Sequence, residues 1–221
     1  MGVRFVAAPV RVRAPATSAN LGPGYDCLGL ALALHDEVVA RVSGGGVRVT
    51  VTGEGAGELP GDGSHLVARA AYEAFDALGA RPRGLELGCH NRIPQARGLG
   101  SSSAAIVAGI LAARALVDDG LEALDDAAVL RLAARIEGHP DNVAPCLLGG
   151  FTIAWTGAEG VRAVAVEPAV SVHPWVLVPE ERGLTAAARA ALPEVVPHAD
   201  AALTAGRAAL LVHALTVEPS L

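Results

Sequence analysis

Residues 94–105 read Pro94-Gln95-Ala96-Arg97-Gly98-Leu99-Gly100-Ser101-Ser102-Ser103-Ala104-Ala105, a glycine-containing loop that runs into the start of an apolar helix. The first N–H groups of a helix have no internal partner and its macrodipole is positive there, so such a junction binds anions. Gly98 and Gly100 let the backbone approach a phosphate with no Cβ in the way, and the Ser101 and Ser102 hydroxyls can donate to phosphate or ligate Mg²⁺. An ordinary serine-capped helix after a turn has the same local pattern, so the surroundings must decide. A dinucleotide loop is another candidate, because Gly98 to Ser103 nearly matches GxGxxG and Asp118 and Asp119 follow about 20 residues on. Ser103 replaces its third glycine, however, and residues 90–96 separate the preceding strand from the loop, where that fingerprint needs a tight turn.

Working outward, the helix opened by this loop is predicted over residues 101–117 and another over 125–137, with Val129, Leu132 and Ile136 inward and Gly138-His139-Pro140 as its stop. Before the loop, a helix is predicted over 64–78, with Ser64 as its cap and Leu66, Ala70, Ala74 and Leu78 as its apolar stripe. Alternation predicts strands at 10–13, 37–42 and 47–51, the last two joined as an antiparallel hairpin through Ser43-Gly44-Gly45-Gly46. Leu85, Leu87 and Cys89 alternate as a further strand, and residues 151–156 and 161–167 form a second hairpin. Residues 172–178 are apolar enough for a buried strand despite Pro174, after a joint at Pro168, and helices follow at 185–192 and 201–216. This order gives mixed α+β rather than regular βαβ alternation.

Composition narrows the function classes. The 221 residues include 17 basic and 23 acidic side chains, a net charge of −6, so nucleic acid is not an expected partner. Every basic residue is arginine, which excludes a Walker-type GKS loop, a pyridoxal Schiff base and a Ser-Lys dyad. With 52% hydrophobic and 3% aromatic residues, the core must be built from Ala, Val and Leu. The longest apolar run, residues 104–113, falls short of the roughly 20 a bilayer span needs, so no membrane partner is expected. Arg4, Arg11 and Arg13 interrupt any secretory h-region, which makes the cytoplasm the expected location. Cys27, Cys89 and Cys146 lack metal or disulfide spacing and read as small buried hydrophobes.

Two more segments can carry chemistry. Glu137-Gly138-His139-Pro140-Asp141-Asn142 gathers two carboxylates, an imidazole and an amide at a helix end. A carboxylate is disfavoured where the helix dipole is negative unless a cation compensates it, which Mg²⁺ would do, with Arg135 or solvent as the plainer alternatives. Asp141 and Asn142 can equally cap the short helix that follows. In the other segment, residues 15–26, Asn20 and Asp26 offer an amide and a carboxylate that suit an ammonium group, while Tyr25 is expected to pack. Thr185 and Arg189, four apart, present a hydroxyl and a guanidinium on one helix face.

The ordered motifs SANLGPGYD, PQARGLGSSSAA and EGHPDNVAP together resemble the GHMP small-molecule kinases, a likeness that takes in residues 10–217. The resemblance implies a ribosomal protein S5 domain 2-like N-terminal domain over 1–167, followed by a ferredoxin-like domain over 168–221. That second domain is expected to be incomplete, because Leu221 precedes the family's late substrate-contacting arginine and glycine-rich segment. It implies an ATP site made by Pro94, Gln95, Ala96, Arg97, Gly98, Leu99, Gly100, Ser101, Ser102, Ser103 and Ala104, with adenine near His65, Leu66 and Val67. It implies Mg²⁺ on Ser102 and Glu137, and an L-homoserine pocket lined by Asn20, Asp26, His139, Asp141, Asn142, Thr185 and Arg189. By charge, Asp26 and Asp141 suit the ammonium and Arg189 the carboxylate. The implied reaction moves the ATP γ-phosphoryl group to the side-chain hydroxyl of L-homoserine in threonine biosynthesis. Asp141 is the candidate base, although its main expected duty is holding substrate. His65 stands where the family usually has asparagine, and Tyr25 where it has phenylalanine. A mevalonate-type kinase and a non-catalytic nucleotide- or amino-acid-binding protein are the alternatives, and a homodimer is the assembly to expect.

Overall fold

Strand β2 (Leu28–Ser43), sixteen residues long, organises the sheet. The computed structural model describes residues 4–181, 183 and 185–220, the side chains of residues 185–187 excepted. Strand β1 (Val10–Ala19) runs antiparallel along β2, from Val10 opposite Ala40 to Ala19 opposite Gly29, with the register shifting between Pro15 and Thr17. That shift accommodates Pro15, which has no N–H for the ladder. It also carries the strand into residues 15–19, which the turn formers of the sequence assign to a loop.

The sheet order is β3-β4-β2-β5-β6, with β1 on β2. Strands β2 and β3 (Gly46–Gly53) are not the hairpin that their glycine-rich connection predicts, because β4 (Gly84–Asn91) pairs between them. It is antiparallel to β2, with Gly84 opposite Ser43, and parallel to β3, with Gly84 opposite Gly46. Glycines at 44–46 specify a reversal of direction; which strand becomes the neighbour is a non-local matter. Strands β5 (Phe151–Gly157) and β6 (Gly160–Val166) do form the expected hairpin.

Helices α1 (Leu66–Ala77), α2 (Ser101–Leu116) and α4 (Asp126–Glu137) supply most of the remaining core. One turn, α3 (Gly120–Ala123), links α2 to α4, and α5 (Val143–Leu148) follows. Helix α2 is apolar nearly all round and correspondingly buried, packing on the sheet as well as on α1 and α4. Helix α1 is capped by His65, whose Nδ1 accepts from Val67 N at 3.2 Å, and not by Ser64, which bonds to Asp62 instead. Its buried face is accordingly turned toward Val67, Ala70, Ala71, Ala74 and Phe75, leaving Leu66 and Leu78 half-buried. Helix α4 follows the sequence reading, with Asp125 as cap and Gly138 in the left-handed conformation at its end.

Beyond β6 the expected buried strand at 172–178 is absent. Those residues pair with no strand among the described residues, and Trp175 and Leu177 are 92% and 93% exposed. Pro174 lacks a ladder donor, and an apolar run suits burial without supplying a neighbour. Helix α6 (Thr185–Ala190) and helix α7 (His198–Thr216) match the predicted helices, α7 starting three residues early at His198. Among the described residues no helix is long and apolar enough to cross a membrane.

The α1–α2 crossing depends on Gly109, where an added Cβ would lie 2.4 Å from the Val67 carbonyl oxygen. Glycine to alanine in an exposed helix adds roughly 1 kcal/mol of stability. Here Gly109→Ala is expected to have the opposite sign, costing about 1–3 kcal/mol by forcing the helices apart. Urea denaturation checks this, and an unchanged or raised midpoint would mean that the crossing is looser than described.

Candidate functional site

The amino end of α2 is open. Its cap, Gly100, has φ +68° and no side chain caps the helix. A Cβ at Gly100 would lie 2.0 Å from Thr17 Oγ1, so only glycine fits between loop and strand. Thr17 fixes this junction twice: its N–H donates to Leu99 O at 3.0 Å, and its hydroxyl donates to Asn142 Oδ1 at 2.8 Å. Thr17 thereby ties the glycine loop to the turn after α4. It is a site residue the sequence reading missed, hidden as one hydroxyl among several in a turn-rich stretch.

Directly at this helix start lies Glu137, whose Oε1 accepts from Ser102 Oγ at 2.5 Å and from Ser103 Oγ at 2.9 Å. Glu137 is the last residue of α4, so the negative end of one helix meets the positive end of another. Arg135, one of the alternatives for compensating it, pairs with Glu73 at 3.0 Å instead. The acid and the serines share one side of the molecule.

Beside Glu137, His139 Nδ1 shares a hydrogen with Asp141 Oδ1 at 2.5 Å, and His139 Nε2 lies 4.0 Å from Glu137 Oε1. Asp141 is buried and also accepts from the Asn142 N–H at 3.1 Å. The hydrogen bond to Asp141 raises the His139 pKa, against the effect of burial; the charges of Asp141 and Glu137 push the same way and Arg189 opposes them. Asn142 occupies the N-cap position of α5, but its side chain makes no capping bond, its Oδ1 accepting from Thr17 instead.

Across the opening, Asn20 Oδ1 accepts from Asp26 N at 3.0 Å, and Asn20, Leu21 and Asp26 all have positive φ. Asn and Asp tolerate that region; for leucine it is uncommon and costly. Asp26 forms a two-pronged ion pair with Arg189 on α6, one arm being Nη1 to Oδ2 at 3.1 Å. Tyr25 is 43% exposed rather than packed in the core, with the Arg189 guanidinium 5.9 Å above its ring. Two further bonds bring the chain before α6 against the loop: Gly183 N to Ala96 O at 2.8 Å, and Arg97 Nη2 to Glu180 O at 2.5 Å.

These groups surround a cavity of about 420 Å³ lined by Asn20, Tyr25, Ala96, Arg97, Gly98, Leu99, Gly100, Ser101, Ser102, Glu137, His139, Asp141, Asn142 and Arg189. Asp26 reaches it through Arg189. A second cavity of about 230 Å³ shares Ala96, Ser101 and Ser102 with the first and extends between Leu59, Pro60, His65, Leu66, Val67, Gln95 and Ala104. Asp36, unnoticed in the sequence, lines it too; its Oδ1 accepts from the Arg92 and Ile93 N–H groups at 2.6 and 2.8 Å, although burial raises its pKa. Pro94 lines neither cavity, Ser103 is buried beneath Glu137, and the Thr185 side chain lies outside the described residues. Cys89 and Cys146 are buried as expected, burial pushing the Cys89 thiol up to about 12.

Residues 65–150 match the family model of the GHMP kinases N terminal domain, which takes in the glycine loop, both serines and the Glu137 turn. A homoserine kinase of Streptomyces coelicolor is 60% identical over 220 residues, covering 100% of this chain and 71% of the relative. One from Streptomyces avermitilis is likewise 60% identical, covering 100% and 72%. The crystal structure of homoserine kinase from Cytophaga hutchinsonii superposes with a TM-score of 0.75 at 32% identity, over 94% of this chain and 67% of that one. The chain belongs to the homoserine kinase family.

The His139–Asp141 pair makes a titration prediction. Since the partnered imidazole has a raised pKa, the pair adds stability that is complete below the unfolded value of 6.5 and fades as pH rises through the folded one. Asp141→Asn is expected to lower the His139 pKa, read from its imidazole resonances across pH 5–9 (about the window for a histidine); an unmoved titration would show that the pair is not formed.

Proposed function

We propose that this chain transfers the γ-phosphoryl group of ATP to the side-chain hydroxyl of L-homoserine, giving O-phospho-L-homoserine for threonine biosynthesis. The observation that carries the reading is the Glu137 carboxylate on the Ser102 and Ser103 hydroxyls at the uncapped start of α2, open to a cavity that also holds Asp141 and Arg189. In this reading residues 1–167 are the S5 domain 2-like nucleotide-binding domain and 168–221 part of a ferredoxin-like one. Among the described residues every sheet strand lies within 10–166, which supports the division.

The phosphates lie on residues 94–104, where free N–H groups meet negative charge, and the second cavity takes the adenine beside His65, Leu66 and Val67. Glu137 and Ser102 offer hard oxygen donors, which fits Mg²⁺, an ion that takes one or two carboxylates and keeps its other positions for water and phosphate. Bound there, the ion would supply neutralisation of phosphate charge. Asn20 and Asn142 orient the amino acid, and Thr185 contributes from α6.

Asp26 and Arg189 neutralise each other as an ion pair. A zwitterion inserted between them exchanges one ion pair for two, its ammonium on Asp26 and Asp141 and its carboxylate on Arg189. The substrate hydroxyl oxygen then forms the new bond to the γ-phosphorus as the bond to the bridging oxygen breaks and ADP leaves. The hydroxyl proton passes to Asp141, oriented by His139. Such transfer depends on positioning and charge stabilisation more than on a strong base.

ADP release with Mg²⁺-ATP and a panel of homoserine, threonine, serine and mevalonate tests the reading. Homoserine is expected to give the turnover; equal turnover with mevalonate, or none with homoserine, would overturn it. Ser102→Ala and Glu137→Gln are each expected to lower kcat on the order of 100-fold with the fold retained by circular dichroism. Undiminished turnover in both would remove the metal from this position.

A further inference from the structure

Thr17 is fully buried, so its hydroxyl hydrogen has no solvent to meet. Its acceptor is Asn142 Oδ1, at 2.8 Å. Were the Asn142 amide turned over, its NH2 would donate to Thr17 Oγ1 and the hydroxyl hydrogen would be left buried and unbonded, which is costlier than never having had that donor. The packing at α2 favours the same orientation. Asn142 Oδ1 lies 3.1 Å from where a Cβ on Gly100 would stand, so the amide oxygen, and not its NH2, faces the positive end of the helix. Asn142 Nδ2 bonds to no group of the described residues, yet it is not sealed off: the one buried side-chain nitrogen or oxygen without a partner among them is His65 Nε2. Asn142 is half-buried on the wall of the first cavity, and Nδ2 is the free donor it brings there.

We propose that Thr17 is a positioning residue for the phosphotransfer, its hydroxyl latching the Asn142 amide so that an N–H donor rather than the amide oxygen meets the reacting oxygens. This rests on the phosphotransfer reading given above. The γ-phosphoryl group and the substrate hydroxyl both present oxygen lone pairs to the cavity wall. A donor held there stabilises charge that develops on them, whereas an amide oxygen in the same place repels it. Asp141, one residue earlier on this wall, is an acceptor, so the donor has to come from its neighbour. Asparagine carries both kinds of group on one freely turning amide, and the choice between them falls to Thr17. A valine of the same shape keeps the N–H bond to Leu99 O, and so the glycine loop, but gives the amide no preference.

The test is steady-state kinetics with Mg²⁺-ATP and homoserine for wild type, Thr17→Val, Thr17→Ser, Asn142→Ala and the Thr17→Val/Asn142→Ala double variant. Thr17→Val is expected to lower kcat about tenfold with the KM for ATP unchanged, and Thr17→Ser, which keeps the hydroxyl, to restore it. In the Asn142→Ala background Thr17→Val is expected to change kcat by less than about twofold, since a residue that acts through Asn142 then has nothing to position. An undiminished kcat in Thr17→Val, a rise in the KM for ATP with kcat intact, or equal losses in the two backgrounds overturns the proposal. The amide orientation is read without turnover, from nuclear Overhauser effects: the Asn142 NH2 protons are expected to lie far from Thr17 Hβ in wild type, and a strong effect between them overturns the proposal as well. No turnover of homoserine by wild type, with the amide oriented as described, would instead bring down the phosphotransfer reading on which it rests.

Discussion

A carboxylate at the wrong end of its own helix organises this molecule. Glu137 closes α4, where the dipole opposes an anion, and is stabilised by the amino end of α2 and the hydroxyls of Ser102 and Ser103. The arrangement holds the two helix ends together. It also leaves the α2 amides uncapped and places hard oxygen donors beside them, which is what a phosphate chain and its counter-ion require.

The rest of the site is assembled around that junction by contacts between distant segments. Thr17 joins β1 to the loop through Leu99 and to the α4–α5 turn through Asn142. Gly183 and Glu180 reach the loop at Ala96 and Arg97, and Arg189 reaches Asp26. The N-terminal strand, the loop and the C-terminal segment thus meet over one cavity, and the second cavity opens from its serine end.

The helices were legible in the sequence because their signals are local. Asp125 and Gly138 bracket α4, and α2 announces itself as an unbroken apolar run after a glycine loop. The glycine–serine motif was legible for the same reason, since glycines, serines and an apolar helix stand next to one another. Sheet pairing was not. The alternation of β2 and β3 identified both as strands, yet nothing within them says that β4 will run between them. Residues 172–178 show the converse error, an apolar run for which no neighbouring strand stands among the described residues. His65 rather than Ser64 caps α1, because Ser64 turns both its N–H and its hydroxyl to Asp62 while His65 Nδ1 meets the Val67 N–H.

The order of residues alone therefore decided which segments are helices, where a glycine loop opens an apolar helix, and that no lysine takes part. These follow from interactions spanning a few residues. The pairing of Arg189 with Asp26, the Thr17 hydroxyl bond to Asn142 and the orphaned nitrogen of His65 were decided by tertiary structure. Each depends on groups from different elements meeting at hydrogen-bond range, or on none being there to meet. Such encounters are set by how sheet and helices pack, which neighbouring residues in the chain do not encode.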